Sequence, residues 1–119
     1  MRIYVAHNYG RRRGLSSEAL QDNVNESIKI GLALIKLGHE PFIPNLYHYV
    51  HLMANGSIPE DVFFRVVAEW VKVSDSLFVG SEPSSEHSGV QDEINIAERI
   101  GIPIYYNIGD IPNGKMPSL

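Results

Sequence analysis

The chain has 119 residues, no cysteine, 44% apolar and 20% charged residues, and a formal net charge of −4. These values describe one domain of ordinary size with a real core, and they exclude disulfides, thiolate catalysis and cysteine-ligated zinc. The acidic balance argues against nucleic acid as a general partner, because phosphate-backbone binding needs a basic field. No apolar run approaches a membrane span, and Met1 leads into a strand without signal-peptide anatomy, so neither a membrane partner nor export is expected. The missing cysteines fit a reducing, cytoplasmic setting. One basic cluster, Arg11-Arg12-Arg13, stands against the acidic background.

Arg2–Ala6 is β-branched and aromatic, the composition of a buried strand. A glycine- and arginine-containing connection, residues 7–20, follows it. The next pattern predicts a helix from an Asp22 N-cap to Leu37, with Gly38 as terminator. Val24, Ile28, Gly31, Leu32 and Ile35 share one of its faces. Glu40–Ile43 is a short second strand, and Pro41 places it at an edge or at the strand's start. Residues 44–57 are too rich in Leu46, Tyr47, Tyr49, Val50, Leu52 and Met53 for a solvated loop. A short helix under the active face accounts for them. Asn55-Gly56 marks a turn, and Ser57-Ile58-Pro59-Glu60 opens a helix with a serine cap and an early proline. That helix is expected to run through Phe63, Phe64, Val67, Trp70, Val71 and Val73.

Ser76–Val79 is an apolar run long enough for a buried strand and too short for a helix. Gly80 to His87 is polar and proline-broken, a loop. Val90, Ile94, Ala97 and Ile100 then recur at helical spacing, with Gly101 as the stop signal. Residues 102–106 form the last strand. The domain is thus residues 1–106, and 107–119 is a glycine- and proline-containing tail, loosely ordered or packed on a neighbouring subunit. Such βα alternation implies an α/β fold, a doubly wound, mostly parallel sheet of four to five strands with helices on both faces. Flavodoxin-like and Rossmann-like sandwiches are the expected forms.

Open parallel sheets bind ligands at the carboxyl ends of their strands, where loops meet helix N-termini. His7, Asn8, Tyr9 and Gly10 follow the first strand and share that edge with residues 81–88. Glu93 projects from the first turns of the helix that opens at Ser88-Gly89. It is either a surface carboxylate favoured by the macrodipole or a nucleophile or general base. His7 is a satisfied polar group or a cleft residue, and Tyr9 can stack on a planar base or a sugar. Arg11 to Arg13 form a solvated loop or hold a phosphate, whose oxygens match guanidinium forks. His48 and His51 would share a helical face, as a metal pair does, but no third ligand is evident. Packing or substrate contact is the preferred role for both. Asp75, at the sheet's amino edge, reads as a structural cap.

Three stretches together carry a resemblance: Ile3-Tyr4-Val5-Ala6 with its glycine-containing loop, residues 74–79, and Ser88-Gly89-Val90-Gln91-Asp92-Glu93-Ile94-Asn95-Ile96-Ala97 before Gly101-Ile102-Pro103-Ile104. They resemble the nucleoside 2-deoxyribosyltransferase-like superfamily over most of residues 1–106. That group includes the transferases, the deoxynucleoside monophosphate N-glycosidases and small uncharacterised bacterial and phage domains, which look most similar. The resemblance implies that Glu93, in a Gly-x-x-x-Glu pattern, attacks the sugar's anomeric carbon and forms a glycosyl-enzyme intermediate. It implies that Gly89 allows close approach, that Ser88 bonds phosphate or sugar, and that Tyr9, Gly10, Arg11 and Arg12 hold the sugar or its 5′-phosphate. His7 and His48 join the substrate-binding set. A small nucleoside or nucleotide is then the ligand, with no metal and no cofactor, and the assembly is a homodimer or a higher homo-oligomer. The apolar segment 46–53, with no evident cover, points the same way.

Two positions depart from the family pattern. The aspartate six residues before the nucleophile, which helps protonate the leaving base, is His87 here, a side chain that can also donate a proton. The aspartate two helical turns before the Ser-Asp pair is Val67. The leading expectation is an N-glycosidase or deoxyribosyltransferase; the alternative, favoured by Val67, is a binding domain that senses a nucleotide ligand without turnover. A phosphoacceptor receiver domain needs acidic residues after the first strand, where His7-Asn8 stand, and is set aside.

Overall fold

Four parallel strands, β1 (Arg2–Ala6), β2 (Glu40–Phe42), β3 (Ser76–Val79) and β4 (Ile104–Tyr105), form one sheet in the order β2-β1-β3-β4. This computed structural model describes residues 1–82 and 88–114. Register runs from Ile3 beside Ser76 to Ala6 beside Val79, so the two central strands are parallel as expected. From β1 the chain moves outward to β2, then crosses back over β1 to β3 and β4. The direction of winding therefore reverses between β1 and β3, a topological switch point. Pro41 sits on β2, an edge strand, where a missing N–H costs least.

Parallel strands need crossovers, and helices supply them: α1 (Ser17–Lys36), α2 (Tyr47–Ala54), α3 (Glu60–Ala68) and α4 (Gly89–Ile100). Side chains of β1 alternate between two cores. Tyr4 and Ala6 join Leu77, Val79 and the α4 residues Val90, Ile94 and Ala97 on one face. Ile3 and Val5 join Phe78, Leu34 of α1 and Ile111 on the other. Helices thus cover both faces of the sheet.

Three helix boundaries differ from expectation. Helix α1 begins at a Ser16 N-cap, whose hydroxyl oxygen accepts from the Ala19 N–H at 3.2 Å, and Asp22 lies inside the helix. Leu20, buried, extends the apolar stripe back by a turn and draws the start with it. The buried stripe is Leu20, Val24, Ser27, Gly31 and Leu34, whereas Ile28, Leu32 and Ile35 are 36%, 50% and 51% exposed. Gly31 explains the rotation: a Cβ there would fall 2.3 Å from Ile43 Cδ1, so the helix lies close on this line. At α3 the N-cap is Pro59 without a side-chain cap, because the Ser57 hydroxyl donates instead to the Ala54 carbonyl at 2.6 Å. The helix stops at Ala68 rather than Val73, and Val71 reaches the core from the turns that follow.

Other local expectations hold. Ser88 caps α4 by accepting from the Gln91 N–H at 3.1 Å, and Gly101 ends it at φ 81. Residues 44–54 contain the expected short helix, α2, after a 3₁₀ turn at Pro44–Leu46. Asp75 caps the amino edge: its carboxylate accepts from the Arg2 N–H at 2.7 Å, and its own N–H donates to the Arg2 carbonyl at 2.8 Å. The tail departs from expectation: residues 107–114 are neither loose nor free for a neighbouring subunit but pack on the chain itself, through buried Ile111 and a 2.9 Å bond from the Gly114 N–H to the Leu37 carbonyl. The last five residues of the tail, 115–119, lie outside the described residues. Among the described residues no helix is long and apolar enough to cross a membrane.

Candidate active site

At the carboxyl ends of β1 and β3 the chain forms a half-open cavity of about 230 Å³. At ~30 Å³ per liquid water, that is space for roughly seven or eight waters, enough for a sugar ring or a base edge. Four segments build it: the loop after β1, the 3₁₀ turn after β2, the N-terminal turns of α4, and the α2–α3 pair along the edge. His7, Tyr9, Gly10, Arg11, His48, Ser88, Gly89 and Glu93, all expected at the site, line this one cavity. His87, the expected proton donor, and the Arg12 side chain lie outside the described residues.

Glu93 is only 5% exposed although it faces the cavity. A buried carboxylate is costly unless it is bonded. The Tyr4 hydroxyl donates to its Oε2 from the middle of β1. Burial, and then the Glu93 charge, hold that phenol well above its ordinary range, so Tyr4 remains a donor. It orients the carboxylate, a role that strand composition alone did not reveal. The signal was a tyrosine among the aliphatic residues of a buried strand, since a buried hydroxyl needs a partner.

Hydrogen bonds fix the loop after β1. The Asn8 N–H donates to Ser81 Oγ at 2.8 Å, and its side-chain amide donates to the Glu82 carbonyl at 2.6 Å. Asn45 donates to the Asn8 carbonyl at 3.2 Å and to Ser27 Oγ at 2.7 Å, while Asn23 donates to the Tyr9 carbonyl at 2.8 Å. The loops after β1, β2 and β3 are thereby tied together. Gly10 makes the turn possible: its φ is 103, and a Cβ would fall 2.1 Å from Leu15 Cδ1. His7 gives its Nδ1 proton to the Asn8 carbonyl at 2.8 Å, which leaves Nε2 as an acceptor while the ring is neutral. At Gly89 a Cβ would meet nothing closer than Phe64 at 3.8 Å, so the protein itself does not require glycine there.

The wall from α2 and α3 adds groups that sequence reading had not joined. Arg11 Nε lies 3.3 Å from Glu60 Oε2, in the first turn of α3. His51 Nδ1 lies 3.7 Å from the same oxygen, and its ring packs on Phe63. Burial, then Arg11 and His48, lower the His51 pKa to about 4. It is therefore neutral near pH 7, and its approach to Glu60 is not an ion pair there. His48 is also lowered, by burial and then by Arg11, and its Nδ1 lies 2.5 Å from the Tyr9 hydroxyl. Among the described residues no cluster of three His, Cys, Asp or Glu side chains could hold a metal ion. Val67 lines the cavity where the resemblance calls for aspartate.

The arrangement sets a tethered carboxylate in a half-open cavity that the side chains of Arg11 and Arg13 also line. Chemically, it suits attack on an electrophilic carbon of an anionic ligand. No protein-family model and no curated protein matches the chain.

Proposed function

We propose that this protein cleaves the base–sugar bond of a nucleoside or nucleotide, as an N-glycosidase or deoxyribosyltransferase with Glu93 as nucleophile. The observation that supports it best is the placement of Glu93: buried, bonded to Tyr4, and lining the cavity with Arg11 and Ser88. A Glu93 oxygen attacks the anomeric carbon as the base departs, and water or a second base resolves the glycosyl ester. Splitting one displacement into two suits a weak carboxylate nucleophile held in place. Acid quenching during turnover, followed by peptide mass measurement, tests this reading. Glu93 is expected to carry the mass of the sugar or sugar phosphate. Base release without such an adduct contradicts the covalent mechanism.

In this reading Arg11 binds the 5′-phosphate, and Glu60 fixes the plane of its guanidinium through Nε. Arg11→Ala is expected to weaken nucleotide binding ~10–100-fold, the range of a lost charged hydrogen bond. Nucleoside affinity should change less than about threefold, because a nucleoside carries no phosphate. Titration calorimetry on both ligands checks this, and equal losses would contradict the phosphate role. The second reading, a nucleotide sensor without turnover, is favoured by Val67, an apolar side chain on the cavity wall.

The reading extends to assembly and setting. Tyr49, Val50, Leu52 and Met53 of α2 are exposed, Met53 at 87%, and Ile28, Leu32 and Ile35 form an exposed apolar line along α1. Contiguous apolar surface of this kind favours a homodimer or larger homo-oligomer. Sedimentation at micromolar concentration is expected to show a species of at least twice the 13.3 kDa chain mass. A monomer alone under those conditions contradicts it. The absence of cysteine supports a cytoplasmic setting.

A further inference from the structure

Nucleophilic attack by Glu93 leaves one step without an agent among the described residues: the departing base must take up a proton. The cavity wall holds a pair suited to that step. Tyr9, on the loop after β1, and His48, on α2, share a hydrogen bond of 2.5 Å between the phenol oxygen and Nδ1. Both line the cavity, and the two rings meet edge to face with centroids 5.6 Å apart. Asn23 anchors Tyr9 through its backbone carbonyl, and His48 is 4% exposed, so neither ring is free to drift. Burial raises the Tyr9 pKa, opposed in part by the Arg11 guanidinium beside its phenol. The hydroxyl therefore keeps its proton near pH 7, and His48 stays uncharged.

Three other titratable donors fit the step less well. The Tyr4 proton is given to Glu93, the His7 Nδ1 proton to the Asn8 carbonyl, and His51 is neutral and packed on Phe63.

We propose that Tyr9 is the general acid for the leaving base and that His48 is its positioning residue. The assignment rests on the Glu93 reading above. As the Glu93 oxygen bonds to C1′, the C1′–N bond breaks and its electron pair goes to the base. A ring nitrogen of the base takes the Tyr9 proton. The phenolate that forms is held by Arg11 and by His48 in its Nδ1–H tautomer. Water then attacks C1′ and expels the Glu93 carboxylate; one water proton returns to Tyr9, and the other remains on the sugar hydroxyl. One water is consumed, and every protein group returns to its starting state.

The test compares two substrates with the same sugar phosphate. One is the deoxynucleotide that the intact protein cleaves fastest. The other is its 4-nitrophenyl glycoside, whose leaving group departs as a stable phenolate and needs no proton. Tyr9→Phe, which keeps the ring and its packing, is expected to lower release of the base ~10²–10⁴-fold, the usual reach of general acid catalysis. On the nitrophenyl substrate it should lose less than about tenfold, since no proton transfer is required there. His48→Gln should show a smaller loss with the same split, and Glu93→Gln should lose both activities. Equal losses of Tyr9→Phe on the two substrates overturn the assignment and leave the nucleophile standing. So does a split seen in His87→Ala or Tyr47→Phe but not in Tyr9→Phe. No base release from any nucleotide by the intact protein overturns the glycosidase reading, and this assignment with it.

Discussion

Glu93→Gln is expected to lower base release ~10³-fold or more while leaving nucleotide affinity within about threefold of the parent protein. The two effects separate because the amide keeps the shape of the side chain and can still accept from Tyr4. On the proposed mechanism only the attacking charge is lost, and that charge acts in the transition state. The fold should tolerate the change, since an amide of the same shape replaces a buried carboxyl group at a site 5% exposed. Single-turnover assays give the rate, and calorimetry gives the affinity. Turnover indifferent to the substitution removes Glu93 as nucleophile.

Leu77→Ala carries the largest expected effect on stability. Leu77 is fully buried on β3, between β1 and β4, and packs in the core shared with Tyr4 and α4. Deleting a buried leucine side chain costs ~2–5 kcal/mol, the transfer term plus the cavity left behind. Set against a total of about 5–15 kcal/mol, that is a substantial share. The denaturant midpoint should fall with an unchanged slope, because the surface exposed on unfolding stays nearly the same. A loss under ~1 kcal/mol would mean that the site collapses around the gap.

The elements legible in the sequence were those whose signals did not compete. Ser76–Val79 stood as a short apolar run between polar segments, and α4 had a serine before it and a glycine after it. Helix α1 was read from an Asp22 cap, whereas buried Leu20 carries its start back to Ser16, a serine placed in the preceding connection. Val24 and Gly31 of its expected face are buried, but Ser27, a small polar residue that a search for apolar side chains passes over, lies between them in place of Ile28. At α3 the capping-box pattern was present, but Ser57 served the end of α2 instead.

The site was legible as far as topology could carry it. Loops after β1 and β3 must converge at a switch point, so Tyr9, Arg11 and Glu93 were expected to meet, and they line one cavity. The pairings within it were not legible. Tyr4 and Glu93 are 89 residues apart, and Tyr9 and His48 are 39 apart. No local pattern encodes such contacts; they follow from where the crossovers set each helix. Glu60 was legible only as a helix-start residue, whereas in the fold it holds Arg11.

The measurement closest to the central claim uses the intact protein and a panel of deoxynucleotides and ribonucleotides, with released base followed by chromatography. If Glu93 attacks the anomeric carbon, at least one member of the panel should yield free base that grows with time and with protein concentration. Nucleotides that bind tightly and are recovered whole would contradict the enzyme and make the protein a nucleotide-binding domain.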